Sequence, residues 1–462
     1  MIRLLILLTA LLSPVAAEAE ARLPASQAEI TLSFAPLVRA AAPAVVNIYA
    51  KRVVQSRAPA NPFFDDPIFR DFFGDLGPAR PRVQNSLGSG VILSPDGFMV
   101  SNYHVVGEAS DIRVVLKDRR EFQADVVLGD EASDLAILRL RDAEDLPSLP
   151  LRDSNSVQVG ELVLAIGNPF GVGQTVSSGI ISGLARSGKI TGNARGYFIQ
   201  TDAPINPGNS GGALIGMDGA LIGVNTAIVT RSGGSNGIGF AIPAALVEQF
   251  VVQARAGRSA FARPWAGMGG QAVDADLASS LGLDRPGGMA ITQLQDASPF
   301  GAVGLQVGDV IIAAEGRDVN SPSEMLYHMT VAGIGAEITV TAVREGQAQE
   351  YTVAMIGPPD VPPQDRVTLG QRAPLPGLSF ANVNPAVISD YQLPLLPDGV
   401  VVLELGRFGA RVGLQVGDIL REIDGREIAS PGAAERAFEE ARRGISIVVE
   451  RGGQLVLLRF RI

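Results

Sequence analysis

Cysteine is absent from the 462-residue chain, and only two histidines occur in it, His104 and His328. Without a thiol there can be no disulfide framework, thiolate zinc site, cysteine nucleophile or lipid-modified N-terminal cysteine. Two imidazoles exclude a multi-histidine metal centre. Lysine is confined to Lys51, Lys117 and Lys189, and acidic residues outnumber basic ones by 48 to 38, for a formal net charge of −10. An acidic chain without a basic run is not expected to bind nucleic acid. Beyond the N-terminus no run of eighteen or more apolar residues occurs, so no integral membrane segment is expected. Glycine, by contrast, is abundant at 53 residues, and charged residues make up 19%. That balance points to a turn-rich, strand-rich globular chain. At roughly 100–200 residues per domain, the length implies two to four domains.

Residues 1–19 read as a secretory signal that is removed on export. Arg3 supplies the positive start, Leu4 to Leu12 the apolar stretch, and Ala17-Glu18-Ala19 a small-residue cleavage site. Pro14 breaks the stretch before it reaches the length of a membrane span. From about Phe34 to Ala256 short β-rich runs alternate with tight turns. The runs are 90–93, 98–100, 112–116, 122–128 and 135–140, then 162–166, 176–184, 197–200, 213–215 and 221–225. Many short strands at this spacing predict antiparallel barrels or sandwiches. Pro243 then opens an expected helix through Leu246, Val247, Phe250 and Val251.

The remainder contains a duplication. Gly304-Leu305-Gln306-Val307-Gly308-Asp309-Val310-Ile311 recurs as Gly413-Leu414-Gln415-Val416-Gly417-Asp418-Ile419-Leu420. Two copies this far apart indicate duplicated domains, since solenoids repeat every 20–50 residues or so. Residues 357–374 carry five prolines and read as a semi-rigid linker between them.

The chemistry concentrates in Asn206-Pro207-Gly208-Asn209-Ser210-Gly211-Gly212-Ala213-Leu214. Glycines flanking a serine let the backbone turn sharply, expose Oγ and aim N–H groups at a developing oxyanion. His104 follows a hairpin in Asn102-Tyr103-His104-Val105-Val106, whereas His328 lies in the repeat region and reads as an ordinary helix residue. Asp134 stands at the mouth of the apolar run Leu135–Leu138, which favours it as the carboxylate orienting an imidazole, although spacing leaves Asp125 and Asp130 open. No lysine sits in a motif that would support a Ser–Lys dyad. The order His, Asp, Ser along the chain is that of chymotrypsin-type enzymes.

Together, Asn-x-His-Val-Val, Ser-Asp-Leu-Ala, Gly-Asn-Pro-Phe-Gly (167–171) and Gly-Asn-Ser-Gly-Gly-Ala-Leu resemble the HtrA family of serine endopeptidases, of the periplasmic DegP/DegQ (peptidase Do) type. The resemblance spans essentially the whole chain. It implies a mainly β protein: a chymotrypsin-like double β-barrel protease domain (20–256) followed by two PDZ domains (262–356 and 375–462). It implies Ser210 as nucleophile, His104 as general base and acid, and Asp134 as the residue holding the imidazole tautomer. Gly208 and Ser210 would supply the oxyanion-hole N–H groups, with no metal or cofactor.

Further expectations come with that resemblance. The position six residues before the nucleophile, acidic in enzymes that cut after basic residues, is Pro204. The specificity pocket would be walled by Ile205, Ile238, Gly239 and Phe240, favouring cleavage after Val, Ala, Ile or Thr. The first PDZ domain would hold C-terminal carboxylates on its Trp265-Ala266-Gly267-Met268 loop. In the matching Leu375-Pro376-Gly377-Leu378, Pro376 lacks an N–H, so the second domain should offer fewer donors and serve mainly assembly. The segment 61–77, with five phenylalanines, would reach a neighbouring subunit, and Arg186 would sense activation. A homo-oligomer, trimeric or a multiple of three, acting on unfolded exported proteins in the periplasm without ATP, is expected. A holdase chaperone or PDZ scaffold with secondary proteolysis is the alternative.

Overall fold

The structure, a computed structural model, describes residues 33–54, 82–168, 173–187, 197–206, 208–228, 237–391, 393, 398–441 and 444–461. The expected signal 1–19 and the segment 61–77 lie outside the described residues. The chain divides into two units after Phe261.

The first unit holds two closed six-stranded barrels. One runs β1 (Val45–Val54), β2 (Arg82–Ile92), β3 (Phe98–Ser101), β4 (Asp111–Val115), β5 (Glu121–Asp130) and β6 (Leu135–Leu140). The other runs β7 (Leu162–Gly167), β8 (Thr175–Ser187), β9 (Tyr197–Thr201), β10 (Ala213–Gly216), β11 (Leu221–Ile228) and β12 (Gly239–Pro243). Their orders, β1-β2-β3-β6-β5-β4 and β10-β11-β12-β9-β8-β7, are the same closure, in which the third strand of six pairs with the sixth and the first with the fourth. Closure leaves no unpaired edge. Each barrel packs its own apolar interior, Ile48, Met99, Val114 and Leu138 in the first, Val163, Ile181, Ile199 and Leu214 in the second. Every strand from β2 to β11 falls on a run expected from the sequence.

A single helical turn, α1 (Tyr103–Val106), follows β3. Helix α2 (Ala244–Arg255) begins directly after Pro243, which ends β12 and stands at the helix N-cap. It buries Leu246, Val247 and Phe250. Its last residue, Arg255, donates to Asp96 in the β2–β3 turn, as does Arg139 of β6. Both guanidinium groups lie over the Phe98 ring, 4.5 and 4.3 Å from its centroid.

The second unit contains the duplication. The first copy has β13 (Met268–Ala272), β14 (Met289–Leu294), β15 (Val310–Ala314), β16 (Arg317–Asp318), α3 (Pro322–Ala332), β17 (Glu337–Arg344) and β18 (Gln347–Ala354). The second has β19 (Val367–Thr368), β20 (Leu378–Asn382), β21 (Val400–Leu405), β22 (Ile419–Ile423), β23 (Arg426–Glu427), α4 (Pro431–Glu440), β24 (Ile445–Arg451) and β25 (Gln454–Phe460). Sheet orders are β13-β14-β15-β17-β18 and β19-β20-β21-β22-β24-β25, with β16 on β15 and β23 on β22. Both helices start alike, with a serine cap (Ser321, Ser430) followed by proline.

The repeated octapeptide builds the same staple twice. Asp309 accepts from the Gln306 N–H and is bridged by Arg344, which also donates to Gly304 O. Asp418 accepts from the Gln415 N–H and is bridged by Arg451, which donates to Gly413 O. The glycine before each aspartate, Gly308 and Gly417, has φ of +96° and +90°, values that disfavour a side chain.

One expectation needs correction. Residues 357–374 are not wholly a linker: Val367 and Thr368 form β19 of the second sheet, and Leu369 is buried in its core. Proline-rich composition concealed a short strand whose stabilising partners are distant in sequence.

Burial opposes ionisation of Asp309, yet the Arg344 guanidinium and the Gln306 N–H hold its carboxyl below the usual aspartate value. Asp309→Asn should therefore cost roughly 1–3 kcal/mol in denaturant unfolding near pH 7. The deficit should be full above about pH 4, where an unfolded aspartate ionises, and shrink as pH falls through the lower folded value. An equal deficit at pH 7 and pH 2 would contradict this.

Candidate active site

The three catalytic candidates come from separate elements. β3 delivers Asn102 and α1, so His104 sits in the first turn after a buried strand. Asp134 ends a 3₁₀ turn at φ +52°, ψ +38° and leads into β6. Ser210 lies in the loop between β9 and β10. His104 and Asp134 thus belong to the first barrel and Ser210 to the second.

His104 Nδ1 is 2.9 Å from each carboxylate oxygen of Asp134. The backbone holds the pair in place: the His104 N–H donates to Asp134 Oδ1 at 3.0 Å, and Tyr103 N–H and Asn102 Nδ2 donate to Asp134 O. Burial disfavours a charged imidazole, but the Asp134 carboxylate and its hydrogen bond outweigh that and raise the His104 pKa above the ordinary histidine value. The geometry leaves Asp125 and Asp130 elsewhere. Asp125 forms a surface pair with Arg141, and Asp130 accepts from the Ser133 N–H.

Thr226, which the sequence reading did not single out, links this pair to the serine. Its Oγ1 donates to Asp134 Oδ2 at 2.6 Å, and its carbonyl accepts from Ser210 Oγ at 3.0 Å. Thr226 lies where the β11–β12 register shifts, between Asn225 and Ile228. A bulge there re-aims a strand residue out of the regular pleat. Among the described residues Ser210 Oγ has no hydrogen bond to His104. In this arrangement the hydroxyl is parked on the Thr226 carbonyl.

Ser89 of β2 is the second contributor without a sequence signal. Its N–H donates to Ser210 O, its Oγ donates to Gly208 O and accepts from the Asn168 N–H, and its carbonyl accepts from Ser101 Oγ. Gly211 is wedged against it. A Cβ there would stand 2.1 Å from Ser89 O, and its φ is +81°. Among the described residues the Gly208 and Ser210 N–H groups meet no acceptor.

The other candidates fall as follows. Ile205 and Phe240 are both buried; a Cβ on Gly239 would lie 2.7 Å from Ile205 Cδ1, whereas Phe240, the next residue of β12, meets Phe198 edge-on with ring centroids 6.0 Å apart. Ile238 presents its side chain to solvent at 37% exposure. The backbone of Arg186 lies in β8 opposite Phe198, and its side chain is outside the described residues. Ala266 O and Gly267 O accept from Ser298 Oγ and the Gln295 N–H, and Met268 begins β13. His328 is a buried residue of α3, its pKa pushed down to about 4 by burial.

A trypsin-like peptidase domain model matches residues 88–224, and a PDZ domain model matches 266–355. The chain is 36% identical over 455 residues to the probable periplasmic serine endoprotease DegP-like of Pseudomonas fulva, covering 93% of each. It is 37% identical over 447 residues to the protein of the same description from Halomonas elongata, again covering 93% of each. Among solved structures it resembles the HtrA-type protease AlgW with decapeptide at 41% identity and a TM-score of 0.52. That likeness covers 71% of this chain and 99% of the other.

Replacing Asp134 by Asn should keep the fold and lower kcat on an unfolded protein substrate by about 10⁴, because the wrong tautomer is then held. Asp125→Asn should change it little. Comparable losses in both variants would remove Asp134 from its role.

Proposed function

Because the chain belongs to the HtrA family of serine endoproteases, we propose that Ser210 is its nucleophile, His104 its general base and acid, and Asp134 the positioning carboxylate. The observation that carries this reading is the two-oxygen contact of Asp134 with His104 Nδ1, at 2.9 Å. It fixes the proton on Nδ1 and leaves Nε2 basic. Rotation of Ser210 about χ1 would transfer its hydroxyl from Thr226 O to His104 Nε2. As Oγ attacks the scissile carbonyl, its proton passes to Nε2, and the carbonyl oxygen becomes an oxyanion received by the Gly208 and Ser210 N–H groups. His104 then returns the proton to the leaving amine, and water repeats the sequence on the acyl-enzyme.

A pocket walled by Ile205, Ile238, Gly239 and Phe240 would favour cleavage after Val, Ala, Ile or Thr, and the apolar approach of Ile205 to Gly239 supports it. The first PDZ domain would capture C-terminal peptides along β13 from its Ala266-Gly267-Met268 loop. The names of the relatives support a periplasmic location; a signal ending at Ala19 would deliver the chain there, and misfolded exported proteins, cut without ATP, would be its substrates. Assembly in trimers or their multiples follows from the family reading, as does a sensing role for Arg186. The parked Ser210 hydroxyl favours a resting enzyme that binds unfolded chains before it cuts them, which accommodates a holdase role.

Three measurements test this. Digestion of a reduced, unfolded protein should yield cuts chiefly after small aliphatic residues, and Ser210→Ala should abolish them; cuts mainly after Arg or Phe would overturn the pocket. If both proteins suppress aggregation while wild type leaves the substrate whole at elevated temperature, the holdase reading prevails. The pH profile of kcat/KM should show an acid limb with a midpoint above about 6.5, since only neutral His104 accepts the Ser210 proton. A midpoint well below 6 would contradict the control by Asp134.

A further inference from the structure

The two PDZ copies differ at the strand that receives a peptide. A PDZ domain adds its ligand as an extra antiparallel strand beside the strand that follows the carboxylate loop. In the first copy that strand is β13, and among the described residues it pairs only with β14. The chain just before it is held elsewhere in the first unit: Ala260 bridges Gly129, and Phe261 stacks on Phe250 at 3.8 Å. In the second copy the equivalent strand is β20, and its outer edge is taken.

Residues 364–369 run antiparallel along β20. The Asn382 N–H donates to Gln364 O at 2.8 Å, Val367 faces Phe380, and Thr368 faces Ser379. At the loop end, the Leu369 N–H donates to Leu378 O and the Gly377 N–H donates to Leu369 O, both at 2.9 Å. Gly377 belongs to the very loop matched to carboxylate binding, and Pro376 beside it has no N–H to offer. The Leu369 side chain, 3% exposed, lies in the core with Leu375, Leu378 and Phe438 of α4. More anchors reinforce the strand. Asn384 Nδ2 donates to Pro362 O at 2.6 Å, Asn382 Nδ2 to Pro363 O at 2.8 Å, and Arg366 Nε to Ser379 Oγ at 2.9 Å.

These are the contacts of a bound tail: an added antiparallel strand, a terminal apolar side chain in a pocket, and a terminal oxygen on a loop N–H. We infer that the peptide groove of the second PDZ domain is filled in cis by residues 364–369. Leu369 stands in for the last residue of a C-terminal apolar ligand, and its carbonyl oxygen for the carboxylate. External tails are thereby directed to the first domain alone. The inference does not depend on the catalytic assignment.

The test is amide hydrogen exchange on the full-length Ser210→Ala chain, with and without a decapeptide ending in leucine and a free carboxylate. Without peptide, the amides of Gly377 and Asn382 should already be protected, and peptide should add protection across 268–272 and none across 377–382. Rapid exchange of Gly377 and Asn382 in the free chain, or peptide-dependent protection there, would overturn the inference. If peptide protects neither loop, capture by the first domain fails, while the protection of Gly377 without peptide still decides this inference. Adding Leu369→Asp should expel the strand, after which one peptide bound per chain becomes two and protection at 377–382 becomes peptide-dependent. A folded variant that still binds one would show that the groove is no peptide site. Should that variant not fold, the exchange pattern of the parent chain decides.

Discussion

Groups from two barrels, each folding around its own core, must meet within the tolerance of a hydrogen bond, and Ser89 is where that meeting is enforced. It uses its N–H, hydroxyl and carbonyl at once, gripping Ser210 O, Gly208 O and the Asn168 N–H on one side and Ser101 on the other. Gly211 closes the contact by having no side chain to hold the barrels apart. Such a contact resists loosening because the N–H, hydroxyl and carbonyl of Ser89 are all partnered, and breaking one bond leaves its partner stranded. The Thr226 bridge also joins the two barrels, touching Asp134 with its hydroxyl and Ser210 with its carbonyl. The orientation of His104 is thus inherited from the barrel seam as much as from its own helix turn.

Local chemistry was the legible part. Alternating apolar runs marked β2 to β11, and short motifs singled out His104, Asp134 and Ser210 because glycines, a hairpin and an apolar strand surround them. What resisted reading depends on contacts between segments far apart. Among three aspartates of similar spacing, only the geometry separates the partner of His104 from the partner of Arg141. Thr226 owes its place to a bulge, which leaves no residue pattern behind. Ser89 is an unremarkable strand serine until the second barrel is packed against it. β19 was hidden for a related reason: two residues in a proline-rich stretch have no periodicity, and only β20 makes a strand of them.

The duplicated domains show which constraints survive copying. The aspartate–arginine staple recurs with the same atoms, since it satisfies buried backbone groups at a turn that both sheets need. The edge strand beside the carboxylate loop is under no such common demand, and there the copies part. One fold therefore carries two different surfaces at the position where a peptide would lie.

The fastening of α2 differs in kind from the seam. Asp96, Arg139 and Arg255 are each nearly half-exposed, and charges in that setting are weakened by mobile ions within a Debye length of about 8 Å at physiological ionic strength. The Ser89 junction is neutral and buried, so ions cannot screen it. Salt therefore acts selectively on this unit: it relaxes the last turn of its terminal helix while the spacing between His104 and Ser210 keeps its value.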